Sequence, residues 1–313
     1  MKRHAAVDLG TNTARLLVAD LERGAFEPVR IERRIIRLGG GFTRERGISP
    51  EAWSRGVETL RSFSRILSES GAERVRAVAT SAVRDAVNGE EFRREICRET
   101  GIDLEIIDGT EEGLLTLRGV AAGVTTKTPL QLVFDVGGGS TEYTVARGFS
   151  PVVTESLPIG VVRLTEGCRG NPAVIRERVT TLLRGFRSRL SECFPGGSIP
   201  GSTLIGTAGT ATTIAAIHLG LDTYDYRLVN GHEVSRGFIG ELFERLLPLP
   251  PEERLRITGM EKGREDLIVS GLIITMETMD AFGFDSLVVS DFGLLEGVLL
   301  STVDTNVSND AGG

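Results

Sequence analysis

The residue types best placed for chemistry are Asp135 and Glu142, because Gly137, Gly138, Gly139, Ser140 and Thr141 stand between them. Three consecutive glycines let a turn adopt positive φ and carry no Cβ, so successive backbone N–H groups can converge on an anion such as a phosphate. Carboxylates beside such a nest imply a divalent cation, and Asp and Glu are the hard oxygen ligands that magnesium takes. A plain hairpin with a loose turn accounts for the glycines but leaves the flanking acids unexplained. The segment AAVDLGTNTARLLVAD at 5–20 repeats the arrangement, with Asp8 followed by Gly10, Thr11, Asn12 and Thr13. Asp8 and Asp135 thus hold the same place in two similar segments, which predicts two related halves whose phosphate-gripping turns face one another across a cleft.

In-line hydrolysis of a phosphoanhydride also needs a base for the attacking water and cations for the phosphate oxygens. Glu111 and Glu112 compete for the first role. Both fall in the first turn of an expected helix, where the dipole favours the ionised carboxylate, although acids often merely decorate a helix start. Arg84, expected in a loop after a strand, could grip phosphate oxygens as a planar fork. Arg163 and Arg264 are secondary cations.

The elements that must position these residues follow from periodicity. In both repeats an apolar run leads into the Asp and alternation resumes after the glycines, so the order is strand, turn, strand. A Walker loop requires a helix after the turn, and neither GxxxxGK nor GxGxxG occurs. Residues 27–38 alternate as a third strand, and Gly39, Gly40 and Gly41 are expected to form a mobile loop. Ser49 and Pro50 mark a helix start, and Trp53, Val57, Leu60, Phe63, Ile66 and Leu67 recur at helical spacing as a core stripe up to Gly71. Strand 75–79, loop 80–84, helix 90–100, strand 104–107 and a helix from an N-cap at Thr110 to about 122 complete an RNase-H-like order. A polar break at 125–129 places the domains at 1–123 and 124–303, with helix 110–122 as the hinge and a frayed tail at 304–313. The second half should contain a helix over 172–193, a turn at 206–209 leading into helix 210–219, and helical structure from 229 to 283 broken by Pro248, Pro250 and Pro251. A strand over 286–291 and a helix over 293–300 should follow. Gly209 stands at the start of helix 210–219, where N–H groups and the dipole suit an anion.

The pair DLGTNT and DVGGGSTE resembles the actin-like, sugar-kinase and Hsp70 phosphotransferase superfamily. With ATSAVRDA at 79–86, DGTEEG at 108–113, SLPIGVVRLTE at 156–166 and GTAGTATTIAA at 206–216, the chain looks like the exopolyphosphatase and guanosine pentaphosphate phosphatase family. That resemblance implies an α/β fold of two RNase-H-like (actin-like ATPase) domains flanking a central cleft. It implies release of orthophosphate from the terminal phosphoanhydride of inorganic polyphosphate, with guanosine pentaphosphate as the second choice of substrate. It favours Glu112 as base, since the family's catalytic glutamate is the second of its pair, and it matches Arg84 to a family arginine. It further implies phosphate contacts from Thr11, Asn12, Arg84, Gly137, Gly138, Gly139, Ser140, Thr141 and Gly209, a Mg²⁺ or Mn²⁺ ion on Asp8, Asp135 and Glu142, and a homodimer. Leu295 stands where many relatives have arginine, so one distal cationic contact is expected to be missing. Together with a chain that stops at 313, before the helical region of the family's long form, this predicts distributive action on short or intermediate chains. A sugar-kinase reading lacks support, because the Glu111-Glu112 pair speaks for hydrolysis, and a non-catalytic nucleotide-binding relative of actin has no need of Glu112.

Composition narrows the partners. A formal charge of −7 argues against a nucleic-acid binder, though a cleft can still be locally positive. No apolar run approaches the ~20 residues that span a bilayer, and the N-terminus lacks the apolar core of a signal peptide, so the cytoplasm is expected. Cys97, Cys168 and Cys193 are far apart and His4, His218 and His232 are scattered, which predicts neither a disulfide framework nor a zinc site. A nucleotide-selective site should offer aromatic stacking, yet the one Trp falls in a core helix and only Tyr224 and Tyr226 fall in a suitable loop. Polyphosphate is therefore the expected substrate.

Overall fold

Apolar residues fill both faces of the first strand, Ala5, Val7 and Leu9 on one and Ala6 on the other, so β1 (Lys2–Leu9) is a central strand. The computed structural model describes residues 2–22, 25–41 and 46–303. β1 pairs antiparallel with β2 (Thr13–Glu22), which pairs with β3 (Ala25–Ile35). After α1 (Pro50–Ser70), β4 (Arg74–Ala79) lies parallel to β1, and after α2 (Ser81–Arg84) and α3 (Gly89–Thr100), β5 (Leu104–Ile106) lies parallel to β4. The sheet order is β3-β2-β1-β4-β5. Ser49 caps α1, its Oγ accepting from Ala52 N at 3.3 Å, and the helix buries Leu60 and Phe63 against Leu16, Phe92 and Ile96. Trp53 meets Phe92 edge-on with ring centroids 5.0 Å apart. Two expectations change here. The 80–84 loop is the helical turn α2, because the Thr80 carbonyl accepts from both Val83 N and Arg84 N. The cap of α4 (Gly109–Gly123) is Asp108 rather than Thr110, with Glu111 N donating to Asp108 Oδ1 at 2.8 Å.

The second unit repeats the order. β6 (Leu130–Val136), β7 (Thr141–Arg147) and β8 (Ser150–Leu157) form an antiparallel meander, followed by α5 (Val161–Gly167) and α6 (Pro172–Leu190). β9 (Ser202–Thr207) lies parallel to β6 and leads into α7 (Ala208–Leu219). Then come α8 (Tyr226–Val229), β10 (Glu233–Ser235), α9 (Arg236–Leu246), α10 (Pro251–Arg254), α11 (Ile268–Phe282) and β11 (Ser286–Val289). The order β10-β11-β9-β6-β7-β8 matches the first sheet read from β8 inward, with β10 added at the far edge. Tyr143 sits wholly buried between Phe134 and Phe186, its hydroxyl 2.8 Å from Thr278 Oγ1. The helical stretch expected over 229–283 breaks at Pro248, Pro250 and Pro251 as expected, between α9 and α10, and it also breaks elsewhere. β10 interrupts it, and between α10 and α11 the chain turns through Gly259 and Gly263, both at positive φ.

The last helix changes the domain assignment. The chain divides into Met1–Ala122 with Gly293–Gly313 and, separately, Gly123–Phe292, so the second domain ends at Phe292 rather than at 303. The reason is apolar burial: Leu294, Leu295, Val298 and Leu299 of α12 (Leu294–Ser301) join Ala6, Leu17, Val78 and Leu115 in one cluster. Close approach to α4 depends on two glycines. A Cβ on Gly119 would lie 1.9 Å from Gly293 O, and one on Gly297 would lie 1.8 Å from Leu115 O. Arg74 Nη1 donates to Thr302 O at 2.9 Å, fastening the helix end to β4. Leu295 is 2% exposed, so that position faces the core and is not a missing phosphate contact. The tail expected at 304–313 lies outside the described residues. No helix among the described residues is long and apolar enough to cross a membrane.

Candidate active site

In the first unit the β1–β2 turn closes with Gly10 N donating to Thr13 O at 3.0 Å. Its carbonyls are tied back by the segment after β3. Thr11 O accepts from Gly39 N, and Asn12 O accepts from Ile36 N and Arg37 N, each at 2.9 Å. Gly39 is therefore a fixed buttress rather than part of a mobile loop, and a Cβ there would lie 2.3 Å from Thr11 Cγ2. Arg37 serves this turn from a left-handed conformation, φ 46°, which is strained for a non-glycine residue. With the carbonyls engaged, the N–H groups of Thr11 and Asn12 donate to no described residue. The Asn12 side chain is 5% exposed, and neither its Oδ1 nor its Nδ2 has a hydrogen-bond partner among the described residues.

The second unit builds the same device from different parts. Gly137 N donates to Ser140 O at 3.0 Å, while the start of α5 holds the carbonyls: Val161 N on Gly137 O, Val162 N and Arg163 N on Gly138 O. Arg163 Nε donates to Gly139 O at 2.6 Å, so this arginine braces the turn. Gly160 must be glycine, since a Cβ would lie 2.3 Å from Gly138 C and Gly139 N. Thr141 Oγ1 donates to Ile159 O at 2.9 Å. The N–H groups of Gly138, Gly139 and Ser140 donate to no described residue, and successive N–H groups left in this state suit an anion.

The carboxylates differ between the halves. Asp135 and Glu142 are direct cross-strand partners, hence on one face of the sheet, and they are 7% and 2% exposed. Glu142 Oε1 accepts from Ser156 Oγ at 2.6 Å. In the first half the residue opposite Asp8 is Arg15, whose Nε and Nη2 lie 2.9 and 2.7 Å from Asp8 Oδ2. Among the described residues no group of three His, Cys, Asp or Glu side chains could hold a metal ion. Asp8 has a guanidinium partner, whereas Asp135 and Glu142 are a buried oxygen-donor pair of the kind that suits magnesium, which takes few carboxylates and keeps several waters.

The two candidate bases separate cleanly. Glu111 is 45% exposed and bound to Arg76 at 2.6 Å, whereas Glu112 is buried and its Oε2 accepts from Arg84 Nη1 at 3.0 Å. The same Arg84 nitrogen donates to Ile107 O at 3.0 Å, so Arg84, expected on phosphate, is placed on Glu112. At the start of α7, Ala208 has φ 62° and the Arg264 guanidinium packs on Gly209, where a Cβ would lie 1.8 Å from Arg264 Cζ. Tyr224 donates its hydroxyl to Asp291 Oδ1, and burial followed by the Asp291 charge raises its pKa. Tyr226 stacks on Phe292 with centroids 6.4 Å apart. Sequence reading missed Arg15 and Ser156. Counting residues outward from the β1–β2 turn would have found Arg15 opposite Asp8, whereas Ser156 comes opposite Glu142 only through the register shift between Val145 and Ala146.

A profile of the Ppx/GppA phosphatase family matches residues 17–306. The chain is 35% identical over 317 residues to a protein named exopolyphosphatase 2 from Mycobacterium tuberculosis, covering 96% of this chain and 98% of that one. The structure of the Aquifex aeolicus PPX-GPPA enzyme is similar, with a TM-score of 0.79 at 34% identity over 96% of this chain and 99% of that one. A crystal structure of an exopolyphosphatase from Cytophaga hutchinsonii is also similar, with a TM-score of 0.87 at 27% identity over 97% and 98% of the two chains.

Proposed function

Because this chain belongs to the Ppx/GppA phosphatase family, we propose that it is an exopolyphosphatase, releasing orthophosphate from the end of inorganic polyphosphate. The observation that carries this reading is the second turn, where the carbonyls are engaged and three successive N–H groups donate to no described residue, next to the Asp135–Glu142 pair in the chain. In each unit the turn's N–H groups, those of 138–140 in one and those of Thr11 and Asn12 in the other, suit the oxygens of an anionic phosphate. Glu112 would take a proton from the attacking water, its orientation fixed by Arg84. Asp135 and Glu142 would hold Mg²⁺ or Mn²⁺. When bound there, the ion supplies charge that offsets the phosphate oxygens as the bridging bond lengthens. The N-terminal end of α7 with Gly209 and Arg264 would receive a more distal phosphate. A cytoplasmic homodimer is the state that family resemblance supports, and sedimentation velocity tests the dimer.

Polyphosphate is favoured over guanosine pentaphosphate because the two loop tyrosines have partners within the chain, Tyr224 on Asp291 and Tyr226 on Phe292. The test compares kcat/KM for short polyphosphate, long polyphosphate and guanosine pentaphosphate. The expected result is preference for polyphosphate, and a clear preference for the nucleotide overturns the reading.

A further inference from the structure

Asn12 places a buried polar side chain at the first turn. It is 5% exposed, and both ends of its carboxamide lack a hydrogen-bond partner among the described residues. Folding a buried amide into this state costs stability, so such groups are rare outside sites of function. The neighbouring hydroxyl, Thr13 Oγ1, is in the same condition. The equivalent positions in the second half are Gly139 and Ser140, so a carboxamide is present in only one of the two turns.

The two ends of an amide require different ligands. Nδ2 carries two N–H donors and suits an anionic phosphate oxygen. Oδ1 can only accept, and an ionised phosphate oxygen has no proton to give it. In a hydrolytic site the available donor is water. A water molecule aims a lone pair at phosphorus when both of its protons are held by acceptors, and a base that takes one proton leaves the other for a second acceptor.

We propose that Asn12 Oδ1 is the second acceptor, positioning the nucleophilic water while Nδ2 binds the terminal phosphate. This rests on the hydrolase reading above. In the step itself, the water oxygen bonds to the terminal phosphorus and one proton passes to the Glu112 carboxylate. The second proton stays on the oxygen, held by Asn12 Oδ1. The bridging P–O bond breaks with its electron pair on the shortened polyphosphate.

Asn12→Ala and Asn12→Asp separate this role from a structural one. Asn12→Ala removes both contacts, so kcat on polyphosphate should fall about 10²-fold, while the melting temperature stays equal or rises because no internal hydrogen bond is lost. Asn12→Asp keeps an acceptor for water and replaces the donor with negative charge. Its KM should rise about tenfold, with a smaller loss in kcat than in Asn12→Ala. A melting temperature several degrees lower in Asn12→Ala, with activity lost in proportion, indicates a structural amide and overturns the proposal. So does a kcat within twofold of wild type. A second arm is independent of turnover: orthophosphate should raise the melting temperature of wild type and fail to do so for Asn12→Asp. If wild type releases no phosphate from polyphosphate, the substrate reading falls, and equal orthophosphate shifts in both proteins would then sink the Asn12 inference as well.

Discussion

Asp135 and Glu142 face each other across the β6–β7 ladder, both buried, at the position where the first half instead opposes Asp8 with Arg15. Like charges directly opposite one another on a sheet are destabilising. A cation between them reverses that sign, whereas the first half already carries its own cation in Arg15. Magnesium should therefore raise the melting temperature of wild type. Glu142→Gln should lose most of that shift while being no less stable than wild type without metal. A Mg²⁺ shift of wild-type size in both Asp135→Asn and Glu142→Gln would place the ion elsewhere. Turnover should stop in excess EDTA and return with added magnesium.

Glu112, buried against Arg84, is the base that turnover should depend on, and Glu111, bound to Arg76 at the surface, is the control. Glu112→Gln keeps the shape and removes the basicity, so phosphate release should fall by about 10²-fold or more. Glu111→Gln should stay within about twofold on the same scale, where a loss near 10² would reverse the assignment. Arg84→Gln leaves Glu112 buried without its guanidinium. It should cost stability on the order of 1–3 kcal/mol, at the lower end because Arg84 is 22% exposed. Urea unfolding measures this, and an unchanged midpoint would show that the pair contributes nothing.

The two turns were legible because Asp8, Gly10, Asn12 and the 137–139 glycines act within a few residues of chain, and the start of α1 was legible because Ser49 and Pro50 form a local signal. Glu112 could not be separated from Glu111 by spacing. Which of two adjacent residues turns inward depends on how α4 is rotated against the sheet, and that is set by residues far away, such as Gly297 against Leu115. The Glu142–Ser156 contact required the β7–β8 register, which shifts between Val145 and Ala146. β10 is three residues long and has no periodicity to read. The return of α12 to the first unit is a purely long-range choice, made by the apolar cluster it completes.

His4 should make the first unit sensitive to acid. It is 2% exposed, and burial, followed by the nearby charge of Arg74, lowers its pKa. Thr302 Oγ1 donates to Leu299 O at 2.6 Å, so its contact with His4 Nδ1, at 2.5 Å, requires a proton on that nitrogen of a neutral ring. The unfolded chain takes up a proton on this histidine near its ordinary pKa of about 6.5, and the folded chain does so only at lower pH. The contribution is thus complete above about 6.5 and is lost as pH falls through the window below it. Urea midpoints at pH 8 and 5.5 should drop further for wild type than for His4→Gln. Equal drops would assign the acid sensitivity to other groups.

Leu295 offers the sharpest separation between a substrate contact and a core contact. Were this position directed at the phosphate chain, Leu295→Arg would add a cation to the grip and shift preference toward longer polyphosphate. The side chain instead lies in the cluster with Ala6, Leu17, Val78 and Leu115, 2% exposed. A guanidinium there must be buried without a partner or force α12 off the sheet, and either outcome is among the large destabilisations, of about 4 kcal/mol or more. Leu295→Met conserves volume and should cost less than about 1.5 kcal/mol. The ratio of kcat/KM for long and short polyphosphate should be the same in Leu295→Met as in wild type. Leu295→Arg should melt far below wild type or fail to fold. A Leu295→Arg protein with a wild-type melting temperature and a new preference for long chains would show that α12 presents this position to substrate after all.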